Sequence, residues 1–162
     1  MKILITGGKS AVALKLLKAF ENEEVILADY GEVPSFPSSS YKFISLSEKN
    51  EDITAHVLLN HCLDYGVDYL LPLYEFEIEP VDKAKILFQE FNVNLLLPGV
   101  EDLKTYSSLP ITKTAWAILI NGAVVYSTLE TAQLGMLFAT NVSGAFYVEE
   151  VNGILCASLI RI

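Results

Sequence analysis

"KILITGGKSAVALKLLKAFENEEVILADY" (residues 2–30) decides the fold. Two short apolar runs, "KILIT" (2–6) and "EVILADY" (24–30), have the β-branched, uninterrupted character of strands buried on both faces. Between them Ala13, Leu16, Leu17 and Phe20 recur at helical spacing, and Ser10 stands where an N-cap belongs. Strand, helix and strand in this order predict a crossover between parallel strands.

The same alternation continues to residue 98. A Pro/Ser loop, "GEVPSFPSSS" (31–40), leads into "YKFISL" (41–46), whose alternation predicts a more exposed strand. Asn50 or Asp52 can cap a helix running to Tyr65, with Gly66 as its left-handed stop. "DYLLPLY" (68–74) is the fourth strand. Pro80 suits the first turn of a helix with Val81, Ala84, Leu87, Phe88 and Phe91 on one face, and "VNLLLPG" (93–99) is the fifth strand. The expected fold class is α/β: a five-stranded, mostly parallel, Rossmann-like sheet in residues 1–110.

Beyond residue 110 the period changes. Asn121-Gly122 and Asn152-Gly153 each separate two apolar, β-rich runs, the strongest short-range hairpin signal. Ser143-Gly144 marks a further turn between "GMLFAT" and "AFYVEE". Residues 111–162 are therefore expected to form a small unit of four or five antiparallel strands, with residues 130–133 as an alternative single helical turn.

Composition excludes several classes. Residues 1–110 hold nine lysines against seventeen acids, a net charge of −8, and residues 111–162 add −1. With no basic stripe, neither nucleic acid nor an anionic membrane surface is an expected partner. Thr131–Val148 is free of charge but broken by Gln133, Asn141 and two glycines, which fits strands better than a bilayer span. Cys62 and Cys156 are far apart and lack metal-ligand spacing, as expected of reduced thiols. Met1-Lys2 runs straight into the first strand, so no leader and a cytoplasmic location are expected.

The glycines at 7 and 8 raise the question of nucleotides. Gly8-Lys9-Ser10 would end a P-loop only if residue 3 were glycine, and it is isoleucine. The dinucleotide fingerprint fails too, because Gly7 and Gly8 are adjacent and the next glycine is Gly31. Asp29 ends the second strand, where an acid can take a ribose hydroxyl, or where a loop simply begins. A glycine turn leading into a helix N-terminus can hold an anion, or can merely let the turn close. No nucleophile elbow occurs, and His56 and His61, five apart, do not share a helix face. Glu75, Glu77 and Glu79 alternate just beyond strand four, either as a solvated loop or at the sheet edge where ligands bind.

"MKILITGGKSAVALKLLKAF", "VILADY", "SSSYKFISL" and "YGVDYLLPLYEFEIEPVDKAKILFQEFNVNLLLPGVEDLKTYSS" together resemble the N-terminal pre-ATP-grasp domain of the ATP-grasp carboxylate–amine ligases, the relatives of carbamoyl phosphate synthase and biotin carboxylase. The resemblance runs in order over residues 1–108. Its more specific parts are the Ser-rich loop, "DYLLP" with Glu75 just beyond, and "LLLPG-VEDL". It implies a Rossmann-like domain that borders the substrate side of a ligase site. The rival, an extended short-chain dehydrogenase, lacks support because no tyrosine is followed four places on by lysine. The C-terminal stretch departs from the family, with only three acids and two bases to hold metal and clamp phosphates.

The resulting expectation is a pre-ATP-grasp-like protein without a complete catalytic apparatus, non-catalytic or part-catalytic and so not an independent ligase. It would bind a small ligand or serve as accessory subunit to a separate ATP-grasp chain. The candidate ligand-binding edge is Thr6, Gly7, Gly8, Asp29, Tyr30, Tyr74 and Glu75, with no catalytic or metal residue and no required cofactor. The alternatives are an interaction protein that forms homo-oligomers through its β unit, and a degenerate NAD(P)-binding or nucleotide-binding Rossmann protein.

Overall fold

A computed structural model of the chain describes residues 1–35, 38–106, 112–130, 134, 138 and 141–162. The fold is α/β, with a five-stranded all-parallel sheet and a four-stranded antiparallel sheet. Contacts divide the chain into two compact units, one of Met1–Leu95 with Arg161–Ile162, the other of Leu96–Ile160.

In the first unit β1 (Lys2–Ile5), β2 (Glu24–Asp29), β3 (Lys42–Ser45), β4 (Tyr69–Leu71) and β5 (Asn94–Leu95) lie in the order β3-β2-β1-β4-β5. Ile3 of β1 pairs with Val25 on one side and Tyr69 on the other, so β1 is central. Its residues Ile3, Leu4 and Ile5 are fully buried, as an apolar run flanked by helices on both faces requires. β3 is the exposed edge that its alternation predicts.

Ser10 caps α1 (Ala11–Leu16) by accepting from the Ala13 amide at 3.1 Å, and a 3₁₀ turn (Leu17–Phe20) continues it. Ala13, Leu16 and Phe20 form its buried face. Asn50 caps a 3₁₀ turn (Glu51–Ile53) that opens into α2 (Thr54–Tyr65). Gly66, at φ +62, ends α2 in the left-handed conformation, and the Val67 amide then reaches back to the Cys62 carbonyl. Both thiols are free, and burial pushes that of Cys62 up to about 12.

Two expectations are corrected here. The helix after β4 does not begin at Pro80: α3 (Glu75–Lys83) starts five residues earlier and carries Pro80 inside. Glu75 and Glu77 in its first turn suit the positive end of the helix dipole, which sets the start. A non-helical residue, Ala84, then separates α3 from α4 (Lys85–Glu90). This break rotates the apolar face. Val81 and Phe88 are buried, whereas Leu87 and Phe91 are exposed. The fifth strand is also shorter than "VNLLLPG", holding ladder bonds only at Asn94–Leu95 before Pro98, which has no amide to donate.

The second unit holds α5 (Val100–Leu103) and β6 (Ala115–Ile120), β7 (Ala123–Ser127), β8 (Gly144–Val151) and β9 (Ile154–Leu159), ordered β7-β6-β8-β9. Both Asn-Gly pairs take positive φ at each residue, +50 and +78 at Asn121-Gly122 and +53 and +77 at Asn152-Gly153. That is the twist a two-residue hairpin needs. Trp116 stacks on Tyr126 at 4.4 Å, and Tyr106 meets Phe146 edge-on at 4.9 Å. Residues 131–133 and all of "GMLFAT" except Phe138 lie outside the described residues. Among the described residues, no helix is long and apolar enough to cross a membrane.

Candidate functional site

In the order β3-β2-β1-β4-β5 the chain reverses direction across the sheet between β1 and β4, and sheets of this kind bind ligands at the carboxyl ends of the strands beside such a switch point. Residues Thr6, Asp29 and Glu77 gather at these ends, all three buried among apolar side chains. A buried carboxylate is costly unless hydrogen bonds replace its water, and both acids here are so supplied.

Glu77 is the centre of one network. Its Oε1 accepts from the Tyr30 hydroxyl at 2.8 Å, and its Oε2 accepts from the Thr6 hydroxyl at 2.5 Å and from the Tyr74 amide at 3.3 Å. The Thr6 oxygen accepts in turn from the Leu73 amide at 2.8 Å, which leaves its proton for Glu77. Burial nonetheless dominates and pushes the Glu77 carboxyl from an ordinary 4.5 up to about 7, against these hydrogen bonds and with the Asp29 charge adding to the rise.

Asp29 is the centre of the other network. Its Oδ1 accepts from the Tyr30 amide and the Tyr74 hydroxyl, both at 2.8 Å, and its Oδ2 accepts from the Lys9 amide at 2.8 Å. The Lys9 ammonium lies 3.7 Å from Oδ1 and donates to the Tyr30 carbonyl at 2.7 Å. Burial and the neighbouring acids raise the hydroxyl pKa of both Tyr30 and Tyr74, so both stay protonated donors. The rings of Tyr30, Tyr74 and Phe76 form a cluster with centroids 5.2–5.7 Å apart, and the Lys49 ammonium sits 3.9 Å over the Phe76 ring.

Of the seven residues expected at this edge, Thr6, Asp29, Tyr30 and Tyr74 meet in these networks. Gly7 and Gly8 form the turn. Gly8 is tight: a Cβ there would lie 2.9 Å from both Leu27 Cβ and Phe43 Cζ. The turn's amides are also engaged, Gly8 with the Ala28 carbonyl, Lys9 with Asp29 and Ser10 with the Gly7 carbonyl. Glu75 stands apart from the buried acids. It is exposed and paired with Arg161 at 2.9 Å. The buried glutamate is Glu77, which the acidic alternation hides. Its one sequence signal is its place three residues after Tyr74, where a helix-start glutamate reaches back to the N-cap amide. Phe76 carries no such signal. Among the described residues no group of three or more metal-ligating side chains occurs.

No known family matches the chain, and no curated protein sequence matches it. Among solved structures it is similar to the urea amidolyase of K. lactis, with a TM-score of 0.49 and 12% identity over 99% of this chain and 13% of that one. It is similar also to the urea carboxylase of Kluyveromyces lactis, with a TM-score of 0.49 and 11% identity over 99% of this chain and 20% of that one. The chain thus spans a fifth or less of the length of these two proteins.

Proposed function

We propose that the α/β unit is a non-catalytic, pre-ATP-grasp-like module that binds a small amine-bearing molecule at the carboxyl ends of β1, β2 and β4. The observation that carries this reading is the pair of buried carboxyls, Asp29 and Glu77, at the switch point of the sheet, bonded to the hydroxyls of Tyr30 and Tyr74 in a three-ring aromatic cluster. With Glu77 ionised, every hydroxyl in the network donates to a carboxylate, so the free capacity is acceptor capacity, on the Tyr30 and Tyr74 oxygens and on Asp29 Oδ2. A ligand must therefore donate. An ammonium group does so, matches the negative charge and is attracted to aromatic faces. The family resemblance adds that such a module borders a substrate site, with phosphoryl chemistry supplied by a separate ATP-grasp chain.

Titration of the ¹⁵N-labelled full chain with methylammonium and with the common amino acids checks this. At least one of them is expected to move the amide signals of Lys9, Tyr30 and Tyr74, and Asp29→Asn is expected to weaken that binding at least tenfold. ATP with Mg²⁺ and the nicotinamide dinucleotides are expected to leave these signals in place. If no amine moves them at 100 mM, roughly the millimolar-or-weaker range where affinity means little, the reading fails.

A second reading rests on the β unit. Its edge strands β7, "AVVYS", and β9, "ILCASL", carry no charge and no proline, and Ile154 at the start of β9 is 67% exposed. Edges left without lysine or proline pair readily with another strand. A homodimer joined along β9 about a two-fold axis is the expected state. Sedimentation equilibrium should give twice the monomer mass for the wild-type chain and the monomer mass for Ile154→Lys. A wild-type monomer at all concentrations removes this reading.

A further inference from the structure

Gly7 takes φ +66, and the space where its Cβ would stand is filled by Ile162 Cδ1. Two backbone hydrogen bonds hold Ile162 there. Its amide donates to the Leu73 carbonyl at 2.8 Å, and its carbonyl oxygen accepts from the Glu75 amide at 3.1 Å. Arg161 adds the ion pair to Glu75. Arg161–Ile162 thus lies along Leu73–Glu75 like one added rung of a sheet, with a side-chain notch at Gly7.

Leu73 links this segment to the buried acids. Its carbonyl accepts from Ile162, while its amide donates to the Thr6 oxygen, whose proton goes to Glu77. Two backbone bonds and the Arg161–Glu75 ion pair are among the contacts that hold the segment, and it lies at the surface, with Ile162 37% and the Glu75 side chain 65% exposed. Exposed ion pairs hold little, and a surface segment opens at lower cost than the fully buried β1.

We propose that Arg161–Ile162 is a latch over Gly7 beside the β1–β4 switch point, and that its release opens the ligand site. The second half of this statement rests on the amine-binding reading above. The latch makes the amino end of α3 a bistable element. When the latch is docked, the Glu75 amide is tied to Ile162 and the notch is filled; when it is released, both become available.

Native-state hydrogen exchange on the full chain tests the contact without a ligand. In Ile162→Ala the Glu75 amide is expected to exchange at least tenfold faster, while Ile3–Ile5 keep their wild-type rates. Gly7→Ala should clash with Ile162, so adding Ile162→Ala to it should lower the denaturation midpoint by less than the sum of the single changes. Unchanged Glu75 exchange, or additive midpoints, overturns the latch. Methylammonium separates the two halves of the idea. Tighter binding to Ile162→Ala than to wild type supports gating, and equal binding overturns it. Binding to neither chain, with Glu75 still responding, rejects the amine reading and with it the gating, and supports the latch as a closing contact alone.

Discussion

The wild-type chain should lose stability as pH rises from about 4.5 to about 7, and Glu77→Gln should not. The Glu77 carboxyl is fully buried, and burial raises it to about 7 from an ordinary 4.5. Between those values the folded chain holds a proton that the unfolded chain has released. Stability is then fully present below the unfolded value and falls as pH climbs through the folded one. At about 1.4 kcal/mol per pH unit, the loss amounts to roughly 3 kcal/mol, or several degrees in Tm.

The groups that face Glu77 shape this result without reversing its sign. The Asp29 charge raises the carboxyl further, while the hydroxyls of Thr6 and Tyr30 and the Tyr74 amide hold it down. Both tyrosines remain protonated throughout, their own pKa values being raised. Glutamine fits the same place. Its carbonyl can keep the bonds from Thr6 and the Tyr74 amide, and its NH₂ can donate to a Tyr30 hydroxyl turned to accept. Urea unfolding followed by circular dichroism at a series of pH values gives the two slopes, and their difference isolates Glu77 from the other acids. Parallel curves for the two chains would mean that Glu77 is ionised in the fold at all these pH values.

What was legible in the sequence depended on whether a residue's place follows from its neighbours. The buried strands were legible because "KILI" and "EVILAD" have no polar face to offer water. Both Asn-Gly hairpins were legible because that turn demands positive φ at two successive residues, which few other pairs tolerate. Asp29, Thr6, Tyr30 and Tyr74 were found as strand-end residues at one edge. Glu77 was hidden among three alternating glutamates, since the buried one is fixed by where α3 starts, and Pro80 pointed to a later start. The contact of Ile162 with Gly7 spans nearly the whole chain and leaves no periodic trace.

The break between α3 and α4 leads to the largest single loss. Periodicity places Leu87, Phe88 and Phe91 on one apolar face, which would make the three comparable. The interruption at Ala84 resets the phase, so that Phe88 is fully buried while Leu87 is 42% and Phe91 49% exposed. Phe88 also anchors the turn that follows, its carbonyl accepting from the amides of Phe91 and Val93. Truncating a fully buried phenylalanine removes its transfer energy and leaves a cavity, about 3–5 kcal/mol together. Phe88→Ala should therefore remove a large part of the 5–15 kcal/mol typical of a domain, whereas Leu87→Ala and Phe91→Ala should each stay within about 1 kcal/mol of wild type. Denaturant midpoints of the three variants decide the matter. Similar losses at all three positions would restore a continuous helix with one apolar face, and a small loss at Phe88 alone would mean that the site collapses around the missing ring.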